Sequence, residues 1–219
     1  MIRLFACLLA LLSVAWTNVP VRELRLFKTY GDTARTFDAN VNVTGLTNGF
    51  GPFLKQTVEA CRQQAAKDGQ SPQSIGSAAG HWLEWATIVA LREQKLTPMY
   101  WQAEFAAVPK NYNDVLLWSK EHGPVVLSCK TSLRERYKQA DLEAVALRQH
   151  YPNARFFIVT IDADKRHVTN IRKKITGKEL LALHAIYDET NADELLTFFK
   201  TLTLTDAPDK VLCSATQVR

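Results

Sequence analysis

The sequence contains few cysteines, and no pair of them has the spacing of a metal site. The four are scattered along the chain, at Cys7, Cys61, Cys129 and Cys213. Without a CxxC pair or a Cys/His combination at ligand spacing, structural zinc is disfavoured, and the positions give no disulfide framework. The histidines likewise show no metal or nucleophile spacing that points to a site. We therefore expect reduced, separate thiols.

The sequence also lacks an apolar run long enough to span a bilayer. The N-terminal candidate is residues 1–16, in which a charged start precedes an apolar run from Leu4 to Val14. This leader is similar to a secretory signal peptide. The alternatives are a buried or partner-packed helix and an extension translated from a misplaced start. We predict a cytoplasmic protein without a stable membrane partner, or an exported protein if Met1 to Ala15 is removed.

Positive charge is only mildly in excess over negative charge. The 219 residues carry a net charge of +5 and have a pI near 9.0. Such a balance permits a polyanionic partner but does not require one. The length fits one domain with embellishments.

Turn-rich segments divide the chain, which shows no internal repeat. We predict an N-terminal segment over residues 17–76, a core over 77–203 and a loosely held tail over 204–219, with the polar stretch Asp68–Ser77 as the internal boundary. Within the core, periodicity predicts the following order: helix Ser77–Gln94, strands Pro98–Val108, Asp114–Ser119 and Pro124–Lys130, helix Ser132–Tyr151 and strand Ala154–Ile161. Weaker helical patterns follow at Gly177–Glu189 and Asn191–Leu202, and an earlier helix is predicted over Pro52–Lys67.

Three of the predicted core elements carry charged residues that suit phosphate chemistry. Lys130 ends the third strand, Asp114 begins the adjacent one, and Glu143 lies on the flank of the following helix. Two carboxylates and a substrate phosphate suit Mg²⁺, which prefers oxygen ligands. Each residue also has an ordinary structural interpretation: a strand-end lysine reaching solvent, a turn aspartate and a surface glutamate paired one turn away.

Glu84 is a carboxylate within the most apolar helix of the sequence. Burying it is costly without a cation or hydrogen bonds. Two interpretations stay open: Glu84 joins the metal site or holds a second ion, or it pairs with His81, three residues earlier.

Two further segments carry charge that suits DNA. In Arg134-Glu135-Arg136, the arginines match guanine edges and the glutamate matches cytosine, although Ser132 to Glu135 also fits a helix capping box. The segment from Lys165 to Lys178 is basic throughout and is either a contact for the DNA backbone or a solvated face. Its candidate phosphate contacts are Lys165, Arg166, Arg172, Lys173 and Lys174.

The order of elements, with Glu84 on a helix, Asp114 on the second strand and Lys130 ending the third, resembles the PD-(D/E)xK nuclease superfamily with its restriction-endonuclease-like fold. The chain departs from that pattern twice, because no proline adjoins Asp114 and Ser128 occupies the position of the usual acid. With an acid on the next helix, the segment resembles the branch of type II restriction endonucleases that recognises CCGG, or CC/GG interrupted by extra bases. The matching positions are Ser128, Lys130, Arg134, Glu135, Arg136 and Glu143.

The resemblance implies an α/β core with a mixed central sheet flanked by helices. It also implies Mg²⁺ bound by Asp114 and Glu143 and catalysis by Lys130. The charged triplet Arg134-Glu135-Arg136 would read a CC/GG core. A palindromic site in double-stranded DNA implies a homodimer or higher oligomer, and a cognate DNA methyltransferase is a further candidate partner. The alternatives are a structure- or end-directed phage or repair nuclease of the same fold and an inactive DNA-binding protein.

Overall fold

The computed structural model describes residues 21–219, so the leader of residues 1–16 lies outside the described part. The helices are α1 Val21–Leu24, α2 Asp32–Asn40, α3 Phe50–Lys67, α4 Pro72–Glu93, α5 Arg136–His150, α6 Lys165–Thr176 and α7 Ala192–Phe199, with a 3₁₀ turn over Val43–Asn48. The strands are β1 Met99–Phe105, β2 Val108–Ser119, β3 Gly123–Lys130, β4 Arg155–Thr160, β5 Ala185–Tyr187 and β6 Leu212–Val218. No described helix has the length and apolar character to cross a membrane.

The strands form one mixed sheet, which confirms the predicted fold class. Within the described residues its order is β5-β4-β3-β2-β1-β6. The segment β1-β2-β3 is antiparallel, whereas β3, β4 and β5 run parallel. The crossover between β3 and β4 contains α5, as a parallel connection requires.

Helices cover both faces of this sheet because its central strands are apolar on both sides. In β3, Val125, Leu127 and Cys129 pack in one cluster with α4, while Val126 packs in the opposite cluster with α5. This alternation follows from the two-residue period of side chains along a strand. Lys130 therefore emerges at the carboxyl end of a buried central strand.

Several predicted boundaries are wrong. The helix predicted from Ser77 begins at Pro72, within the polar stretch Asp68–Ser77, and Ser71 caps it through a hydroxyl that accepts a hydrogen bond from the Ser74 N–H at 3.2 Å. Proline at the first turn suits this position. The described residues before α3 form two short helices and the 3₁₀ turn.

The C-terminal third of the chain differs most from its prediction. The segment predicted as helix Gly177–Glu189 contains the strand β5, and the basic run before it forms α6. The tail is not loosely held, since β6 pairs antiparallel with β1 along the sheet edge. The helix predicted at Asn191–Leu202 is present as α7.

Candidate active site

The proposed site lies where β2 and β3 separate. Their ladder ends at the pair Val115 and Leu127. One residue further, the Asp114 carboxylate replaces the missing ladder partner, because its Oδ2 accepts the Cys129 backbone N–H at 2.8 Å. Asp114 therefore lies within β2 and is not the turn residue that its predicted strand start allowed. The hydrogen bond from the Cys129 N–H fixes its side chain at the end of the ladder.

Lys130 pairs with this carboxylate. Its Nζ lies 3.1 Å from Asp114 Oδ2, and the two side chains are only 14% and 13% exposed. The Ser128 hydroxyl donates to the same oxygen at 3.5 Å. A second acid in place of this buried serine would lie against Asp114 and repel it, whereas the hydroxyl supplies a donor. All three bonds end on Oδ2, and no hydrogen bond from the described residues reaches Oδ1.

The charged groups of the site shift one another's pKa. Burial and the negative charge of Glu84 raise the pKa of Asp114 to about 6, against the opposing effect of Lys130. Burial alone would lower the pKa of Lys130, but the charges of Asp114 and Glu143 outweigh it and raise that pKa. The charged form of Lys130 is thus stabilised by its surroundings, whereas the charged form of Asp114 is destabilised.

Glu84 is buried on α4 and is held by three groups. Its Oε2 accepts from Trp101 Nε1 at 2.7 Å and from Gln102 Nε2 at 2.8 Å, and His81 Nδ1 lies at 3.5 Å. The bond to Glu84 raises the pKa of His81. The predicted pairing with His81 is therefore present. The negative charge of Glu84 also raises the pKa of Asp114. Both interpretations of Glu84, a partner of His81 and a member of a metal site, therefore stay open.

The bonds from β1 to Glu84 depend on an irregular strand. Gln102 has a φ of 50° in the left-handed region, and the pairing of β1 with β6 shifts register between Trp101 and Glu104. A non-glycine residue in this region is strained and needs support from its surroundings. Nothing in the sequence signals this bulge, which explains why Trp101 and Gln102 were not predicted as site residues.

Glu143 lies half-buried on α5, facing the same sheet end. Gln139, one turn earlier, donates to its Oε1 at 2.8 Å. The Glu143 charge acts on Lys130. Still, the described residues contain no group of three His, Cys, Asp or Glu side chains gathered closely enough to hold a metal ion by themselves.

The triplet is exposed at the start of α5. The helix begins at Arg136, and the preceding Glu135 makes no capping bond through its side chain. Glu135 instead pairs with Lys138 at 2.6 Å with both side chains largely in solvent. The capping-box interpretation of Ser132 and Glu135 is therefore wrong, and all three triplet residues are exposed to solvent.

The basic residues of α6 have different surroundings. Lys165 lies 3.1 Å from Glu189, and Arg172 lies 3.3 Å from Asp188, so both are tied to the connection between β5 and α7. Arg166 and Lys173 are exposed. Lys174 lies over the Tyr137 ring at 5.7 Å. Of the five predicted phosphate contacts, Lys165 and Arg172 thus make ion pairs within the fold, whereas Arg166, Lys173 and Lys174 make none with the described residues.

Comparison with known proteins supports the fold. No protein-family model matches this sequence, and no curated protein matches it. A solved structure described as a complex of the restriction endonuclease PspGI with substrate DNA matches with a TM-score of 0.50 at 11% identity. The match covers 84% of this chain and 96% of that one, so it extends well beyond residues 77–161. At this identity the likeness establishes a restriction-endonuclease-like fold.

Proposed function

We propose that the protein is a Mg²⁺-dependent, site-specific endonuclease that cleaves double-stranded DNA as type II restriction enzymes do. The observation that carries this proposal is the largely buried ion pair between Lys130 Nζ and Asp114 Oδ2, 3.1 Å apart at the end of a central strand. The connection that follows this strand exposes the charged triplet. Chemistry and base reading would thus share one end of the sheet, as a site-specific nuclease needs.

The residues fit a divalent metal ion with oxygen ligands. Oδ1 of Asp114 accepts no hydrogen bond from the described residues, and burial together with Glu84 destabilises the charged form of this carboxylate. A cation beside Asp114 would remove this penalty. Because Mg²⁺ keeps several waters and uses only one or two protein carboxylates, a site without three gathered ligands suits it. Asp114 and Glu143 would hold the ion, and Glu84 would be a further ligand or bind a second ion.

The chain's own residues would orient the scissile phosphate. A bound Mg²⁺ supplies an activated water and neutralises charge on the phosphate oxygens. The Lys130 ammonium is buried beside Asp114 and would donate to a phosphate oxygen or to the attacking water. Gln139 would keep the Glu143 carboxylate turned toward the same place.

Base reading is assigned to the triplet. Arg134 and Arg136 would each contact guanine O6 and N7, and Glu135 would accept from cytosine N4. Glu135 can leave Lys138 at little cost, because exposed ion pairs contribute roughly 0–1 kcal/mol. The site read would have a CC/GG core. Its two-fold symmetry calls for a homodimer, and a methyltransferase of the same specificity would protect host DNA in the cytoplasm.

The test is digestion of plasmid DNA and defined duplexes with Mg²⁺. We expect discrete fragments, and we expect Lys130→Ala to reduce the cleavage rate at least about 100-fold, as for loss of a positioned catalytic group. Lys120→Ala is the matched control, since Lys120 is exposed at the opposite end of β2.

Three results would contradict the proposal. Cleavage that survives Lys130→Ala would rule out the site. Smeared or end-dependent digestion would indicate a structure- or end-directed nuclease. DNA binding without cleavage and without Mn²⁺ binding in a calorimetric titration would indicate an inactive DNA-binding protein.

A further inference from the structure

The connection between β3 and α5, residues 131–135, holds the triplet in a conformation that it does not stabilise by itself. Arg134 has a φ of 29°, which is costly for a residue with a side chain. The first turn of α5 lacks a side-chain cap. Contacts from outside the connection must therefore keep it in place.

One set of contacts comes from the residues that end β4. The Thr160 hydroxyl donates to the Lys130 carbonyl at 2.6 Å and accepts the Asp162 N–H at 3.1 Å. The buried Asp162 carboxylate then accepts the Leu133 N–H through Oδ2 at 2.7 Å and the Asp164 N–H through Oδ1 at 2.9 Å. A continuous series of buried hydrogen bonds thus links the backbone of Lys130 to the residue before the triplet.

A second contact comes from the first turn of α6. His167 Nε2 lies 3.3 Å from the carbonyl oxygen of Arg134. Because a carbonyl only accepts, Nε2 must carry the proton in this bond. The His167 ring also packs edge-on against Tyr137, with centroids 5.9 Å apart. The backbone of His167 is itself fixed, since its N–H donates to Asp164 at 3.0 Å.

We propose that Asp162 and His167 are positioning residues for base reading, which hold residues 131–135 so that the triplet keeps its register with Lys130. The proposal rests on the proposed function and deepens it. Neither residue needs to touch DNA. Loss of either contact would loosen the triplet relative to a catalytic lysine that stays anchored in β3, so discrimination between sequences would fall more than the rate of cleavage.

The experiment compares His167→Phe, which keeps a ring against Tyr137 but removes the N–H donor, with His167→Gln, whose amide restores a donor. Asp162→Asn is a second, buried variant, and His150→Phe is the control, because His150 is an exposed histidine at the far end of α5. Each protein cleaves a plasmid library with a randomised segment, and the cut ends are sequenced. Melting temperatures and single-turnover rates on the best site are measured alongside.

We expect His167→Phe to lower the preference for the best site over sites with one changed base about 5- to 10-fold, as for loss of one hydrogen bond. His167→Gln should recover most of this preference, and His150→Phe should match the wild type. The single-turnover rate on the best site should change less than the preference does.

Two results would overturn the positioning role: unchanged preference in His167→Phe, or equal loss of cleavage at every site without rescue by His167→Gln. Random ends from the wild-type protein would overturn the proposed function itself. Discrete wild-type ends that persist unchanged in the variants would overturn only the positioning role.

Discussion

At the residue scale, Asp114 combines two opposing requirements. Its buried carboxylate completes the hydrogen bonding of Cys129 and pairs with Lys130, yet burial and Glu84 penalise its charge. A structural carboxylate would be expected to have a lowered pKa, because donors and cations favour the ionised form. The raised pKa of Asp114 reflects its burial first and the charge of Glu84 second, which together outweigh the Lys130 ammonium and the Cys129 N–H.

The raised pKa of Asp114 gives a specific pH dependence. A folded-state pKa of about 6 lies above the ordinary carboxyl value, so the folded state holds its proton more tightly between pH 4 and 6. Stability from this group is therefore present at low pH and lost as the pH rises through 6. In Asp114→Asn that loss should disappear, so the variant gains about 2–3 kcal/mol relative to the wild type between pH 4 and 7.

The measurement is urea unfolding of both proteins with EDTA at several pH values. Adding Mg²⁺ at pH 7 should stabilise the wild type and leave Asp114→Asn nearly unaffected. Parallel stability curves for the two proteins across this pH range would contradict the assignment.

The arginines of the triplet give a second prediction at this scale. Substituting Arg134 or Arg136 by alanine should cost about 1–3 kcal/mol of discrimination at one base pair, because each would lose a two-bond interaction with guanine. Competition binding with duplexes that differ at single positions measures this cost. Equal weakening on every duplex would instead mark the arginine as a phosphate contact.

At the element scale, α5 is fastened to the structure by a residue that its sequence pattern does not distinguish. Asp141 is buried and accepts three successive backbone N–H groups, those of Leu181, Ala182 and Leu183, at 2.8–3.0 Å. These donors precede β5, the edge strand next to β4. The carboxylate thus couples α5, which carries Gln139 and Glu143, to the parallel side of the sheet.

Asp141→Ala should therefore be strongly destabilising. It leaves three backbone donors without their acceptor, two of them on buried residues, and each buried unsatisfied donor costs about 1–3 kcal/mol. We expect a loss of about 3 kcal/mol or more in the free energy of unfolding. Chemical denaturation measures it, with Glu179→Ala as an exposed control. A loss as small as that of the control would show that water replaces the carboxylate freely.

At the scale of the whole molecule, some basic residues are neutralised by acidic neighbours and others are not. Several basic residues are neutralised internally, as Lys55, Lys165 and Arg172 are by Asp188 and Glu189. Arg166 and Lys173 remain outside such pairs on α6, whose first turn contacts the residues before α5 through His167. The net charge of +5 alone therefore does not show which basic residues are already neutralised within the fold.

This distribution predicts the salt dependence of DNA binding. The double variant Arg166→Ala/Lys173→Ala should lower the slope of log affinity against log salt by about 2, because each substitution removes one cation that neutralises a phosphate. The control pair Lys28→Ala/Lys67→Ala removes the same charge from the N-terminal helical region and should leave the slope nearly unchanged. Fluorescence anisotropy over a range of salt concentrations provides the slopes. Identical slopes for both pairs would show that only net charge matters.

The sequence by itself determined the elements of the central core and the local spacing of the candidate site. Alternation in β3 placed Ser128 and Lys130 on one face, and helical spacing placed Glu143 on the flank of α5, because side-chain direction follows backbone period. The order of these elements carried the resemblance that implied the α/β fold. These features depend on neighbours within a few residues, which a sequence displays directly.

Only the tertiary structure decided which groups surround those residues. The bonds of Glu84 with Trp101 and Gln102, the hold of Asp162 on Leu133 and the pairing of β6 with β1 join residues far apart in the chain. The position of Asp162 after a buried strand is a weak indication of a functional residue, but nothing in the sequence indicates that it binds the Leu133 N–H. Such contacts arise from how the chain packs as a whole, and packing here also removed the capping bond that local sequence predicted for Glu135.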